Sequence, residues 1–505
     1  MAAVAAACTV LAACGSQLSD KELAATNGAL VQEVPVGSVQ QPAASGATTA
    51  AAAAGAPVDA GAPVASVAAA PVVGAAPAAG AGAAPASTAT TTSTTSPGTA
   101  PVASSAATAG GHASTAPHAS ASASAAPANG PATGSVINFG SVGNSAGALG
   151  AVSGPTPPAI VAWQQWVNAH GGLNGHQVKV YIIDDGGDPA KAQAAVQTLV
   201  EQDHVVALID EYGFGEIVSA LPYLQQHGVP IIGSIGADSR IDQTQVLFQP
   251  VTGASLGIDW GFVLSLDALT TKKKVAILYC REAATCSAEY KGLKALLPYH
   301  GITDVYDAQV SLVQPDFTAE LIGAKNAGAE IIEALVDQNS IDRMAQDAHR
   351  QGYTPVFSGA YNLVINDTLS GSAPKDLDGA IFFGRTPPYS TSTQPSLVEY
   401  REAIAQYEPG APEGDVGSGV FVIGDLLRKI APQWGATPTS ASIIASLYAL
   451  KGETLGGELP GITFPHGDDR THVNLCSYPI QVQNGQFTQP SGNKFVCAPG
   501  WSPGG

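Results

Sequence analysis

GGLNGHQVKVYIIDDGGDPAKAQAAVQTLVEQDHVVALIDEYGF, residues Gly171 to Phe214, decides the fold. Glycines set a turn, and Val178 to Ile183 follows as a β-branched run suited to a strand. Asp188 and Pro189 supply an N-cap and a first-turn proline. Ala192, Val196, Leu199 and Val200 then recur at helical spacing. Val205 to Ile209 is a second, nearly continuous apolar run, as a parallel strand covered on both faces requires. The order strand, helix, strand is a βαβ unit. Ligands of such sheets gather beyond the carboxyl ends of the strands, so the loops Asp184 to Asp188 and Asp210 to Gly215 are expected to face a site.

The pattern extends in both directions. Val136 to Phe139 is an earlier strand followed by the glycine-bearing loop Gly140 to Gly150, and Pro157 and Pro158 open a helix with Ile160, Trp163 and Val167 on one face. Glycines there do not fall as GxGxxG and no GK[ST] follows, which leaves the nucleotide-binding reading weak. Downstream come a helix from Glu216 to His227, a strand from Val229 to Ile232 and a loop ending at Asp238. A second α/β series begins after Pro250 and Gly253, with strands at Val275 to Tyr279, Val305 to Val310, Glu330 to Leu335, Pro355 to Ser358 and Ala380 to Phe383. Three helical patterns follow Pro388, and Asn484-Gly485 signals a late type I′ hairpin.

Read with Val136 to Gly150 and Gly228 to Asp238, the opening stretch resembles the branched-chain amino acid binding proteins, the type I periplasmic binding proteins that feed ABC transporters. The likeness runs in element order over about Ser135 to Phe487. It implies an α/β fold of two Rossmann-like lobes joined by a three-crossing hinge, with 135–252 plus 385–455 as the first lobe and 253–384 plus 456–505 as the second.

Composition is compatible with export. Of 505 residues only 12% are charged and the formal net charge is -19, which argues against nucleic acid, whose binding needs clustered Lys and Arg. Residues 1–13 are small and apolar, and Leu11-Ala12-Ala13-Cys14 has the form of a bacterial lipobox, although no Lys or Arg precedes Lys21. Cys14 is therefore expected to carry a lipid, anchoring the protein to the outer face of the cell membrane. The segment 14–134 is an Ala, Pro, Ser, Thr and Gly linker too poor in large apolar side chains to fold. Setting aside Cys8 and Cys14, four cysteines remain, and proximity favours Cys280 with Cys286 and Cys476 with Cys497 among the three connectivities.

No catalytic signature such as GxSxG or HExxH is present, and no cysteine set has metal spacing. The acidic run Asp184, Asp185 and Asp188 raises a cation site, but Asp188 is engaged as a cap, so neither metal nor cofactor is expected. The partners expected are a small molecule, a permease and the membrane through the lipid. A ligand-sensing lipoprotein, or an enzyme on the same scaffold, is the alternative.

The resemblance also implies site positions. Where amino-acid-binding relatives carry adjacent serines, Gly213 and Phe214 stand here. Ile235 and Ala237 match the following Ala and Thr, with Asp238 beside them, and Tyr290 matches a ligand-facing tyrosine. The acidic ammonium clamp falls near Ala360 and Tyr361, with no carboxylate at either, leaving Asp337 as a substitute from another strand end. The altered clamp implies a less zwitterionic, partly apolar ligand held by backbone donors and aromatic contact.

Overall fold

The computed structural model describes residues 130–360, 373–466, 473–492, 494–499 and 501. Cys14, nearly all of the linker, Tyr361 and the 467–472 segment lie outside them. The first sheet comprises β1 (Val136–Gly143), β2 (Gln177–Asp184), β3 (Ala207–Glu211), β4 (Ile231–Ser234) and β5 (Leu247–Phe248). All its pairings are parallel and the order is β2-β1-β3-β4-β5. Around it run α1 (Gly147–Ser153), α2 (Thr156–Ala169), α3 (Pro189–Glu201), α4 (Leu221–His227) and α5 (Ser239–Asp242).

The βαβ unit forms where the sequence places it. Asp188 accepts the Ala190 N–H at 2.8 Å, Pro189 sits in the first turn, and Ala192, Val196 and Leu199 are fully buried. Burial of Val196 and Leu199 contributes roughly 1.5–3 kcal/mol each. Trp163 is in the core, as a helix covering a sheet requires. The helix expected from Glu216 to His227 is divided instead. A 3-10 turn, Glu216–Ala220, precedes α4, and the break falls where Pro222, lacking an N–H, fits only a first turn.

The second sheet follows α6 (Ala254–Leu269). It contains β6 (Lys274–Cys280), β7 (Thr303–Val310), β8 (Ile331–Leu335), β9 (Val356–Ala360) and β10 (Ile381–Gly384), parallel in the order β7-β6-β8-β9-β10. Between these strands lie α7 (Ala284–Leu296), α8 (Thr318–Asn326), α9 (Gln338–Arg350) and α10 (Ala373–Asp376). The two sheets thus share one order, with the chain reversing direction beside β1 in the first and β6 in the second. After β10 come α11 (Pro395–Tyr407), α12 (Asp415–Ile430) and α13 (Ser440–Tyr448), and both α11 and α12 pack on α2. The chain then adds β11 (Cys476–Gln483), β12 (Gln486–Thr488) and β13 (Val496–Cys497) antiparallel to the far edge of the second sheet. Asn484 and Gly485 turn that hairpin at φ 53° and 70°, the left-handed values a type I′ turn demands. Disulfides join Cys280 to Cys286 and Cys476 to Cys497.

Three passages of chain between the sheets are bonded to one another. Arg385 donates from Nε to the Thr252 carbonyl at 3.0 Å and from Nη2 to Asp210 Oδ1 at 2.6 Å. Thr252 donates its hydroxyl to the Cys476 carbonyl, and Asn474 Nδ2 donates to the Pro250 carbonyl at 2.9 Å. The backbone N–H of Arg385 donates to Asp415 Oδ2 at 2.9 Å, and Thr386 is held by the same carboxylate. Arg385 and Asp210 are both buried, so this ion pair is shielded from solvent where the crossings meet.

Candidate functional site

A cavity of about 100 Å³ lies between the carboxyl ends of the two sheets, beside both reversal points. From the first sheet it meets Phe214 after β3, and Ile235 and Ala237 after β4. From the second it meets Cys280 at the end of β6, Leu335 and Val336 at the end of β8, and Ala360 at the end of β9. The walls are close. A Cβ built on Gly215 would stand 3.1 Å from Thr285 Cγ2 at the start of α7, across the cleft.

On the first-sheet side, acidic side chains tie their own loops together. Glu211 accepts the Gly213 N–H at 2.8 Å and the Ser234 hydroxyl at 2.5 Å. Glu216 Oε2 accepts the N–H groups of Phe214 and Gly215 at 2.8 and 3.1 Å. The Ile235, Gly236 and Ala237 N–H groups donate to the Glu211 carbonyl, the Ser234 hydroxyl and the Phe214 carbonyl. Asp184 accepts the Ser145 N–H at 3.3 Å and the Ser145 hydroxyl at 2.6 Å, and Asp185 takes the Gly187 N–H at 2.8 Å. Burial raises the Asp185 carboxyl to about 6, with the neighbouring acids adding to the shift, and pushes Glu211 well above its usual range. The backbone donors that an anionic ligand group would need in the 213–215 and 235–237 loops are therefore already occupied.

On the second-sheet side, carboxylates also line the cavity, but they are not spent in this way. Asp259 of α6, Glu289 of α7 and Glu333 of β8 converge on it from three elements. Their relative exposures are 3%, 7% and 0%. Neither oxygen of Glu289 nor of Glu333 makes a well-formed hydrogen bond, and Asp259 Oδ2 has none. Glu289 lies beside Ser255 and Asp259, and Glu333 beside Ser358, without completing such a bond. Burial holds Asp259 and Glu289 well above the carboxylate range, their mutual repulsion adds to the Asp259 shift, and burial pushes Glu333 up to about 8. Asp242 behind them is raised to about 8 for the same reason, even while its Oδ2 accepts the Leu256 N–H at 2.9 Å. The remaining lining includes Ile258, Phe262, Leu293 and Phe383, and no Lys, Arg or His lines the cavity among the described residues.

The structure thus brings together Phe214, Ile235 and Ala237, with Gly213 one residue behind the wall. Asp238 is not among the lining residues; it lies near Gly215 as the cap of α5, accepting the Arg240 N–H at 2.9 Å and pairing with the Arg240 guanidinium at 2.6 Å. Two expected residues are elsewhere. The Tyr290 ring stacks on Tyr279 at 4.3 Å, and its hydroxyl accepts from Lys294 at 2.7 Å, because the inward face of α7 carries Cys286, Glu289 and Leu293. Asp337 caps α9 through the Ser340 N–H at 3.2 Å and borders a separate depression with Gly147, Asp342 and Arg343. Two of the three acids that do reach the cavity sit singly in apolar runs, Asp259 in GIDWGF and Glu333 in IIEAL. A charge inside an otherwise buried run was the signal available for them. Among the described residues no group of three or more His, Cys, Asp or Glu is arranged to hold a metal ion, and no helix is long and apolar enough to cross a membrane.

Two doubly wound sheets of one order, facing each other across a lined cavity and joined by bonded crossings, define a two-lobed α/β ligand-binding architecture. A sequence profile described as periplasmic binding protein matches residues 136–486, and the chain belongs to that family. An amino acid binding protein of Pseudomonas aeruginosa is 23% identical over 229 residues, 44% of this chain and 60% of that relative's length. Among solved structures, the branched-chain amino acid transporter substrate binding protein of Streptococcus pneumoniae in complex with isoleucine matches with a TM-score of 0.57 at 18% identity, over 72% of this chain and all of its own. An ABC transporter solute binding protein of Rhodopseudomonas palustris HaA2 in complex with p-hydroxybenzoic acid gives 0.57 at 16%, over 72% and 98%. The fold implied by the resemblance to branched-chain amino acid binding proteins is the fold observed.

Proposed function

We propose that the chain is the extracytoplasmic solute-binding component of an ABC-type importer, closing its two lobes on a small molecule and delivering it to a membrane permease. The observation that carries this reading is the cavity bounded by strand ends of both sheets, reached from one side by Phe214 and from the other by Glu289. A ligand touching both walls binds the closed arrangement better than the open one, and that difference in affinity drives closure. The lobes would be 135–252 plus 385–455 and 253–384 plus 456–505, with a lipid on Cys14 and the 14–134 tether holding them near the membrane. Membership of a family of solute-binding proteins, rather than enzymes, supports a binding role. The test is a thermal-shift and scattering screen of the purified chain against amino acids, aromatic acids and amines. A ligand that raises Tm and reduces the radius of gyration is expected; if no compound in the panel does either, the reading fails. Cys14→Ala should move the protein from membranes to the soluble fraction, because acyl chains at about 0.8 kcal/mol per buried CH₂ dominate such anchoring.

A further inference from the structure

We propose that the ligand carries a positive charge on an apolar body, as a primary or quaternary ammonium does, and no carboxylate, with its cationic head seated among Asp259, Glu289 and Glu333. The proposal rests on the solute-binding reading above and names the chemistry of that site.

Geometry carries it from both walls. Glu289 is 93% buried by its 7% exposure, lines the cavity, and has both oxygens without a well-formed hydrogen bond. Glu333 shares its strand face with Ile331 and Leu335, so it projects towards α6 and α7 rather than into the opposite layer. A buried acid without a partner is costly, and Glu289 and Glu333 with neither oxygen bonded, beside Asp259 with its Oδ2 open, suit an occupant that brings donors and positive charge. The opposite wall excludes the alternative. Every N–H from Gly213 to Gly215 and from Ile235 to Ala237 is bonded within the protein, four of them to Glu211 or Glu216. A ligand carboxylate would find no free backbone donor on that wall. Phe214, Phe262 and Phe383 supply apolar and aromatic surface, on which an ammonium is also favourably placed.

Charge balance follows. Asp259 and Glu289 repel each other, and Asp242 and Asp238 repel Glu289, while among the described residues no Lys or Arg side chain lines the cavity. Burial therefore keeps protons on these acids in the empty protein. An entering cation replaces protons, which leave to solvent. Affinity should then rise with pH through the raised carboxyl range, while an alkylammonium, deprotonating only near pH 10, stays charged throughout.

The experiment is isothermal titration of the purified full chain with matched pairs: 3-methylbutylamine against leucine and isovalerate, and benzylamine against benzoate. Titrations near pH 7.5 and 5.5 in two buffers of different ionisation enthalpy read proton release. The amines should bind with proton release, at least about tenfold more tightly at the higher pH, and about tenfold more weakly in Glu289→Gln, whose urea unfolding confirms that it folds. Leucine or benzoate binding more tightly than its matched amine would overturn the proposal and leave the solute-binding reading standing. So would calcium ion displacing a bound amine, or amine affinity unchanged within about twofold in Glu289→Gln. A panel in which nothing binds overturns both.

Discussion

The two lobes present the same strand order to the cleft and use acidic residues in opposite ways. At the ends of β3 and β4, Glu211 and Glu216 are consumed by loop N–H groups and a serine hydroxyl. In the other lobe, the carboxylates of Glu289 on α7 and Glu333 within β8 are also buried and make no well-formed hydrogen bond. Burial alone therefore does not distinguish a structural acid from a ligand-directed one; the accounting of donors does. An acid that closes its own loop makes that wall rigid and unreceptive to anions, whereas an acid left open keeps a cost that only an occupant removes.

Breaking the joint between the lobes should have the largest effect. Arg385→Ala leaves Asp210 as a buried, uncompensated carboxylate and frees the Thr252 carbonyl, so a loss of about 3–5 kcal/mol is expected in urea unfolding. A loss under about 1 kcal/mol would mean that the crossings are held chiefly by Asn474 and Thr252. Next comes Glu211→Ala, which orphans the Gly213 N–H and the Ser234 hydroxyl in a buried setting and should cost about 1–3 kcal/mol for each.

The matching change in the other lobe should have the opposite sign. Glu333 has a folded-state pKa of about 8, above that of the unfolded chain, so its contribution is fully present below about pH 4 and is lost as pH rises through about 8. Unliganded protein should thus lose stability across that window, by roughly 1 kcal/mol per pH unit from this group. Glu333→Gln, which cannot ionise, should flatten the slope and be the more stable protein near pH 9. If Glu333→Gln instead destabilises at every pH as Glu211→Ala does, the contrast between the walls is wrong.

What the chain discloses about itself follows the same division. Hydrophobic period, the Asp188-Pro189 cap and the Asn484-Gly485 turn are local, and each fixes an element without reference to distant residues. The likeness to a known family supplies the pairing of two sheets, which periodicity does not encode. Phe214, Ile235 and Ala237 were reachable because they directly follow strands whose ends define the cleft. Asp259, Glu289 and Glu333 were not, since their meeting depends on how α6 and α7 lie against the second sheet. A lone acid in an apolar run looks alike whether it meets a partner or a cavity. Tyr290 stands outside the cavity lining by a smaller margin, one helical position: adjacent helix residues point about 100° apart, and the inward place belongs to Glu289.

That one-position difference yields the smallest effect and a sharp test. Tyr290→Ala removes the stack on Tyr279 and a hydroxyl from Lys294, contacts on the outer side of α7 that leave Glu289 where it is. Lys294 still has Asp304 at 2.8 Å and Asp307 at 3.1 Å, so its charge remains paired. Ligand affinity should therefore change by less than about twofold, against about tenfold for Glu289→Gln. Were Tyr290→Ala to abolish binding while Glu289→Gln left it intact, α7 would have to turn by about 100° when the ligand is held. Such a turn would withdraw Glu289 and bring Tyr290 to the cleft, and the open acids of the second lobe would then belong to the empty protein only. Calorimetry on both variants with one ligand decides between these registers, because each predicts which substitution the ligand feels.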